Sequence, residues 1–144
     1  KMPEKTAEVI ELIDGYRWYR TGDKGHLDED GFLTIVDRYS RFAKIGGEMI
    51  SLTTVEEEIL DACNDKDLEI AATCLPDQRK GEKIILLATT NLEKNQLKKL
   101  LSDSKVNPLY HPAQVLIVAE IPKLGSGKTD FGATKKIALV NEIK

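Results

Sequence analysis

The sequence holds only two cysteines and two histidines. Cys63 and Cys74 show no metal-ligand spacing and no disulfide framework, which fits a reducing compartment such as the cytoplasm. His26 and His111 are too few for a histidine-rich metal site. No apolar run approaches the roughly 20 residues of a membrane-spanning helix, and no signal-peptide pattern opens the chain. Charge of one sign is lacking too. Lysine and arginine number 21 against 24 acidic residues, for a net charge of -3, so nothing global attracts nucleic acid and only local basic groups could hold an anion. There is no internal repeat and no low-complexity stretch. What is present is an ordinary globular composition, 41% hydrophobic and 31% charged over 144 residues. That length suits one modest domain, or a domain plus a fragment. Lys1-Met2-Pro3 joins a segment with no clear start, so the chain is expected to be a piece of a longer polypeptide.

Ile121-Pro122-Lys123-Leu124-Gly125-Ser126-Gly127-Lys128-Thr129-Asp130 carries the strongest chemical signal. Glycines let backbone approach a ligand, and a lysine on a mobile loop supplies a movable point charge for a phosphate or a developing phosphoryl charge. The phosphate-loop pattern G-x-x-x-x-G-K-[ST] fits Gly127-Lys128-Thr129 but fails at Pro122, where its first glycine belongs. Taken alone, the loop reads as exposed surface with a solvated lysine. Asp28-Glu29-Asp30-Gly31 is no calcium loop, because His26 and Asp37 then stand where Asp and Glu are required.

Residues 4–14 read as one weakly amphipathic piece ended by Gly15. Trp18, flanked by Tyr16 and Tyr19, reads as an apolar anchor, and Asp23 as a carboxylate at a turn. Asp30-Gly31 before an apolar run predicts a hairpin. Asp37–Arg41 reads as a polar boundary or hinge. Two short strands are expected around Gly46-Gly47, with Lys44 just before that turn. A helix follows, capped by Thr53 or Thr54, with Glu56 and Glu57 in its first turn on a solvated face. Strands are expected over 68–75, ending at Pro76, and over 83–90, paired antiparallel, with a third over 114–120. Helices are expected over 92–102, with Leu97, Leu100 and Leu101 on one side, and over 133–143, with Ile137, Val140 and Leu139 inward. This order predicts an α+β fold: a small domain with a three-stranded sheet flanked by helices, after a β-hairpin.

Three separated stretches occur in a telling order: Tyr19-Arg20-Thr21-Gly22-Asp23, Asp37-Arg38-x5-Lys44-x2-Gly47-x2-Ile50, and Pro122-Lys123-x2-Ser126-Gly127-Lys128. Together they resemble the last three core motifs of the adenylate-forming superfamily of acyl-CoA synthetases, peptide-synthetase adenylation domains and luciferases. Ser40–Met49 and Pro122–Lys128 look most similar to its branch of 2-acylglycerophosphoethanolamine acyltransferase/acyl-[acyl-carrier-protein] synthetases. The resemblance implies a fatty acid activated by ATP, with Mg2+, to an acyl-adenylate and then passed to the thiol of an acyl-carrier protein or coenzyme A. It implies that residues 1–37 are the tail of a large domain that holds most of the ATP and Mg2+ site, and that residues 38–144 are a small lid. It further implies nucleotide-binding roles for Asp23 and Arg38, and a catalytic role in adenylation for Lys128. Lys44 would act in the thioester step, where Gly46 and Gly47 would let pantetheine pass. Ser40 would be the hinge, although many members carry Asp or Lys there. The fragment alone is expected to be inactive, and the intact protein could associate with membrane. The competing reading is a stand-alone module that docks an acidic carrier protein on Arg38, Arg41, Lys44, Lys123 and Lys128.

Overall fold

A computed structural model describes residues 2–90 and 92–142. The chain divides into two compact units, Lys1–Ser40 and Arg41–Lys144.

The first unit is a short helix and two hairpins. Helix α1 (Pro3–Val9) leads into β1 (Ile10–Ile13) and β2 (Tyr16–Tyr19), which pair antiparallel. The piece expected to be amphipathic throughout is thus part helix and part strand. Asp14 and Gly15 both have positive φ, 51° and 81°, as a two-residue turn of this kind requires. Strands β3 (Asp23–Leu27) and β4 (Leu33–Arg38) form the second hairpin, around the expected Asp30-Gly31. Inside its loop the Asp28 carboxylate accepts the N–H groups of Asp30 and Phe32. None of this unit's described residues is buried. Trp18 is 59% exposed and anchors nothing within this unit: four-residue strands in a two-stranded ribbon have no second layer to cover a side chain.

The second unit has a real core. Strand β8 (Gly81–Ala88) lies at its centre, antiparallel to β7 (Ile70–Asp77) on one edge and parallel to β9 (Gln114–Ile117) on the other. Beyond the three expected strands, the hairpin of β5 (Phe42–Ile45) and β6 (Glu48–Ser51) joins the same sheet, meeting β8 at Ile45 and Gly81. The run Ile84–Ala88 is buried throughout because both faces of the sheet are covered. Alternate residues supply two clusters. Ile84 and Leu86 pack with Leu52, Val55 and Ile59 of α2 (Leu52–Cys63) and with Leu97 and Leu101 of α3 (Lys94–Asp103). Ile85 and Leu87 pack with Ile121 and with Ala138 of α4 (Phe131–Glu142).

Several boundaries move for physical reasons. Ser51 caps α2, its hydroxyl accepting the Thr54 N–H, so the helix starts before Thr53 and Thr54. Strand β7 continues through Pro76 to Asp77, at the turn end of its ladder. In α4 the inward face is Thr134, Ile137 and Ala138, while Leu139 and Val140 point outward. Thr134 and Ala138 are almost fully buried, and small side chains there let the helix lie close to the sheet. Ile143 falls outside the described residues. No described helix is long and apolar enough to cross a membrane.

Candidate functional site

In the first unit, Asp23 and Arg38 are direct partners across β3 and β4, and Arg38 Nε lies 3.2 Å from Asp23 Oδ1. The register shift between Lys24 and Gly25 restores the pairing at the open end of this hairpin. Asp23 is partly sheltered and keeps one oxygen that takes no part in this pair, while Arg38 is largely exposed. Ser40 is exposed within a short 3-10 turn, Tyr39–Arg41, and is the last residue of the first unit.

In the second unit, Lys44 is exposed on β5 between buried Ala43 and Ile45. Gly46 and Gly47 form the two-residue turn to β6, with φ of 60° and 91°. A Cβ would meet nothing at either position, so glycine serves the backbone conformation there and not a close approach. The turn is fastened to the start of β8: Gly46 N donates to Lys80 O at 2.9 Å, and Lys44 N donates to the Glu82 carboxylate at 2.6 Å. The other Glu82 oxygen accepts the Cys74 thiol. Burial, and then that carboxylate, push the Cys74 pKa up to about 11.

Lys128 stands exposed on a closed turn. Leu124 N donates to Lys128 O at 2.7 Å, Gly127 N donates to Leu124 O at 2.8 Å, and Lys123 bridges Thr129. Asp130 N donates to Pro122 O, and the Asp130 carboxylate caps α4 at Ala133 N. The Gly-Ser-Gly run expected as a loose loop therefore presents its lysine from a hydrogen-bonded base. The lysine side chain makes no ion pair among the described residues.

Sequence reasoning missed two features. The first is a groove of about 420 Å³ between the β7–β8 turn, α3 and the Pro108–Ala113 segment. Arg79, Lys80, Lys94 and Lys98 line it and take part in no ion pair among the described residues. Its acids are committed elsewhere. Asp77 accepts the Lys80 and Arg79 N–H groups, which hold its carboxyl below the usual range, and Glu82 serves Lys44 and Cys74. Four lysines and arginines spread from position 79 to 98 gave no local signal.

The second is Arg41, expected on a basic docking face. It is 3% exposed, ion-paired to Glu56 at 2.6 Å and bonded to Ala72 O at 2.7 Å. Lys123 is also engaged, with Glu69 at 2.9 Å. The five-residue basic face is thereby corrected: it loses one member to the interior and another to a neighbour. Among the described residues no three His, Cys, Asp or Glu side chains gather as a metal site built from protein ligands alone would need.

No protein-family model matches the chain. It is 34% identical over 134 residues to a 2-succinylbenzoate--CoA ligase of Listeria monocytogenes, covering 92% of this chain and 28% of that protein. It is 33% identical over 121 residues to a medium-chain-fatty-acid--CoA ligase of Ectopseudomonas oleovorans, covering 81% of this chain and 21% of that one. The fold matches ATP-bound MatB of Rhodopseudomonas palustris with a TM-score of 0.72 at 23% identity, over 95% of this chain and 27% of that structure. The chain thus spans under a third of the length of these relatives. It belongs to the AMP-forming acyl-CoA ligase superfamily, as a C-terminal domain of such ligases.

Proposed function

We propose that the enzyme carrying this chain activates a fatty acid in two steps. A carboxylate oxygen attacks the α-phosphorus of ATP, the bond to the departing pyrophosphate breaks, and an acyl-adenylate forms. A thiol, losing its proton, then attacks the acyl carbon and AMP leaves, giving a thioester. The observation that carries this reading is the Lys128 turn, an exposed ammonium on a hydrogen-bonded base. Charge builds around phosphorus in the first step, and a placed cation stabilises it without reorganisation. At ~4 Å and an effective dielectric near 20 such a pair is worth about 4 kcal/mol before desolvation.

In this reading Lys128 serves adenylation, Lys44 with the Gly46-Gly47 turn serves thioester formation, and Asp23 holds the ribose hydroxyls beside Arg38. Ser40 is the hinge between the two arrangements. Residues 1–37 are the tail of the larger domain and 38–144 the lid; the wholly unburied first unit, with Trp18, Phe32 and Ile35 exposed, supports a packing partner of that kind. ATP is a substrate here, and any Mg2+ would be held by the larger domain. The relatives differ in the acid they take, so the fatty acid rests on the motif resemblance to the acyl-[acyl-carrier-protein] synthetase branch. The acceptor carries phosphate as coenzyme A or as a phosphopantetheinyl carrier protein, and the cationic groove beside the Lys44 strand suits either.

The test is Lys128→Ala in the intact enzyme. Adenylation, followed by pyrophosphate release, should fall by roughly 10²–10³-fold. Thioester formation from supplied acyl-adenylate should change little. Equal loss in both halves would sink the division of labour. The isolated chain should release no pyrophosphate from ATP.

A further inference from the structure

The proposed reaction needs Lys128 to be placed accurately, yet its turn is exposed. Something buried must hold the base of that turn. Arg41 is the first residue of the second unit, and its side chain runs into the interior. Its Nη1 donates to Ala72 O at 2.7 Å and its Nη2 donates to Glu56 Oε2 at 2.6 Å. Glu56 Oε1 in turn accepts Ala72 N at 2.6 Å. The guanidinium edge is therefore taken up by β7 and α2. Its face remains, and the Phe131 ring lies over it, 3.7 Å from the guanidinium carbon to the ring centroid. A planar cation bonds in plane and stacks out of plane, so one side chain can join three elements.

Phe131 begins α4, three residues after Lys128. The residue before it, Asp130, both caps α4 and closes the turn onto Pro122. A short covalent path thus connects the stacked ring to the turn. Other side chains also hold this segment: Ile121 is buried just before the turn, the buried Thr134 hydroxyl donates to Asp130 O at 2.9 Å, and Lys123 pairs with Glu69, half exposed at both ends. The stack differs from these in joining the segment to Arg41, the first residue of the second unit. Phe131 is itself 40% exposed, more than filling a core would require.

We infer that Phe131, stacked on buried Arg41, is a positioning residue for the adenylation step: it holds the Lys128 turn in register with the start of the second unit. This rests on the proposed function above. The experiment uses the intact enzyme with Phe131→Leu, Phe131→Tyr and Lys128→Ala, measuring each half-reaction and the melting temperature. A stacked pair of this kind is worth about 0.5–2 kcal/mol, so Phe131→Leu should slow adenylation by roughly two- to thirtyfold. Thioester formation from supplied acyl-adenylate should be unchanged, and Phe131→Tyr, which keeps the ring, should behave as the parent. If Phe131→Leu matches the parent, slows both halves equally or fails to fold, the positioning role is overturned. With Lys128→Ala inactive in adenylation, only the role of Phe131 falls. Should Lys128→Ala adenylate normally, the proposed function itself falls, and this inference with it.

Discussion

Glu82 holds Lys44 by the backbone, accepting its N–H at 2.6 Å. A side chain on β8 thereby helps set the position of a strand whose ladder with β8 is a single residue pair, Ile45 with Gly81. Glu82→Ala should loosen the Lys44 turn. Under the proposed role of Lys44, where small misplacements at a reacting site can cost up to about 10²-fold, we expect roughly a tenfold loss in thioester formation with adenylation little changed. Separate assays of the two half-reactions decide it; a loss confined to adenylation would contradict the assignment of Lys44.

The same carboxylate acts on Cys74. Burial is the larger reason for its pKa of about 11, and the Glu82 hydrogen bond and charge add to it. Glu82→Gln removes the charge, so the pKa should drop while staying above the ordinary 9.0. Alkylation rate against pH, read on a variant whose Cys63 is replaced, reports it. The folded state holds the Cys74 proton more tightly than the unfolded state does. Its contribution to stability is therefore complete below pH 9 and is lost as pH rises toward 11. Urea midpoints of the parent protein should fall more steeply across that window than those of Cys74→Ala.

Two glycines near this turn should respond differently to alanine. Gly46 has φ of 60° and open space around it, so Gly46→Ala meets backbone strain alone, about 1 kcal/mol. Gly81 has φ of 86°, and its Cβ would also lie 3.0 Å from Lys44 O. Gly81→Ala should cost about 2–3 kcal/mol and displace Lys44. Equal urea midpoints for the two variants would refute the clash.

Removing either of two carboxylates should separate a buried ion pair from a helix cap. Glu56→Ala leaves the Arg41 guanidinium buried without its counter-charge and should destabilise by about 3–5 kcal/mol. Asp130→Ala removes the α4 cap and should cost about 1 kcal/mol. Chemical denaturation of both variants measures the ordering.

Local signals were legible wherever they carried their own cause. Gly46-Gly47 named its turn because both residues need positive φ, and Leu97 and Leu101 named the buried side of α3 by spacing. Asp14-Gly15 carries the same kind of signal as Asp30-Gly31, but residues 4–14 read as one weakly amphipathic piece, and the first hairpin is not legible in it. Val140 was misjudged because hydrophobicity alone does not say which side of a helix meets a sheet; tight contact selected Thr134 and Ala138.

The order of residues by itself determined the mixed helix-and-strand architecture, the glycine turns and the two lysines that those turns carry. These follow from backbone sterics and periodicity, which act over a few neighbours. Only the folded chain decided that Arg41 leaves the surface to join Glu56, Ala72 and Phe131, or that Glu82 reaches Lys44. A charged side chain's partner is chosen by which elements pack beside it, and positions 41 and 131 have no local relation until the sheet and its helices bring them together.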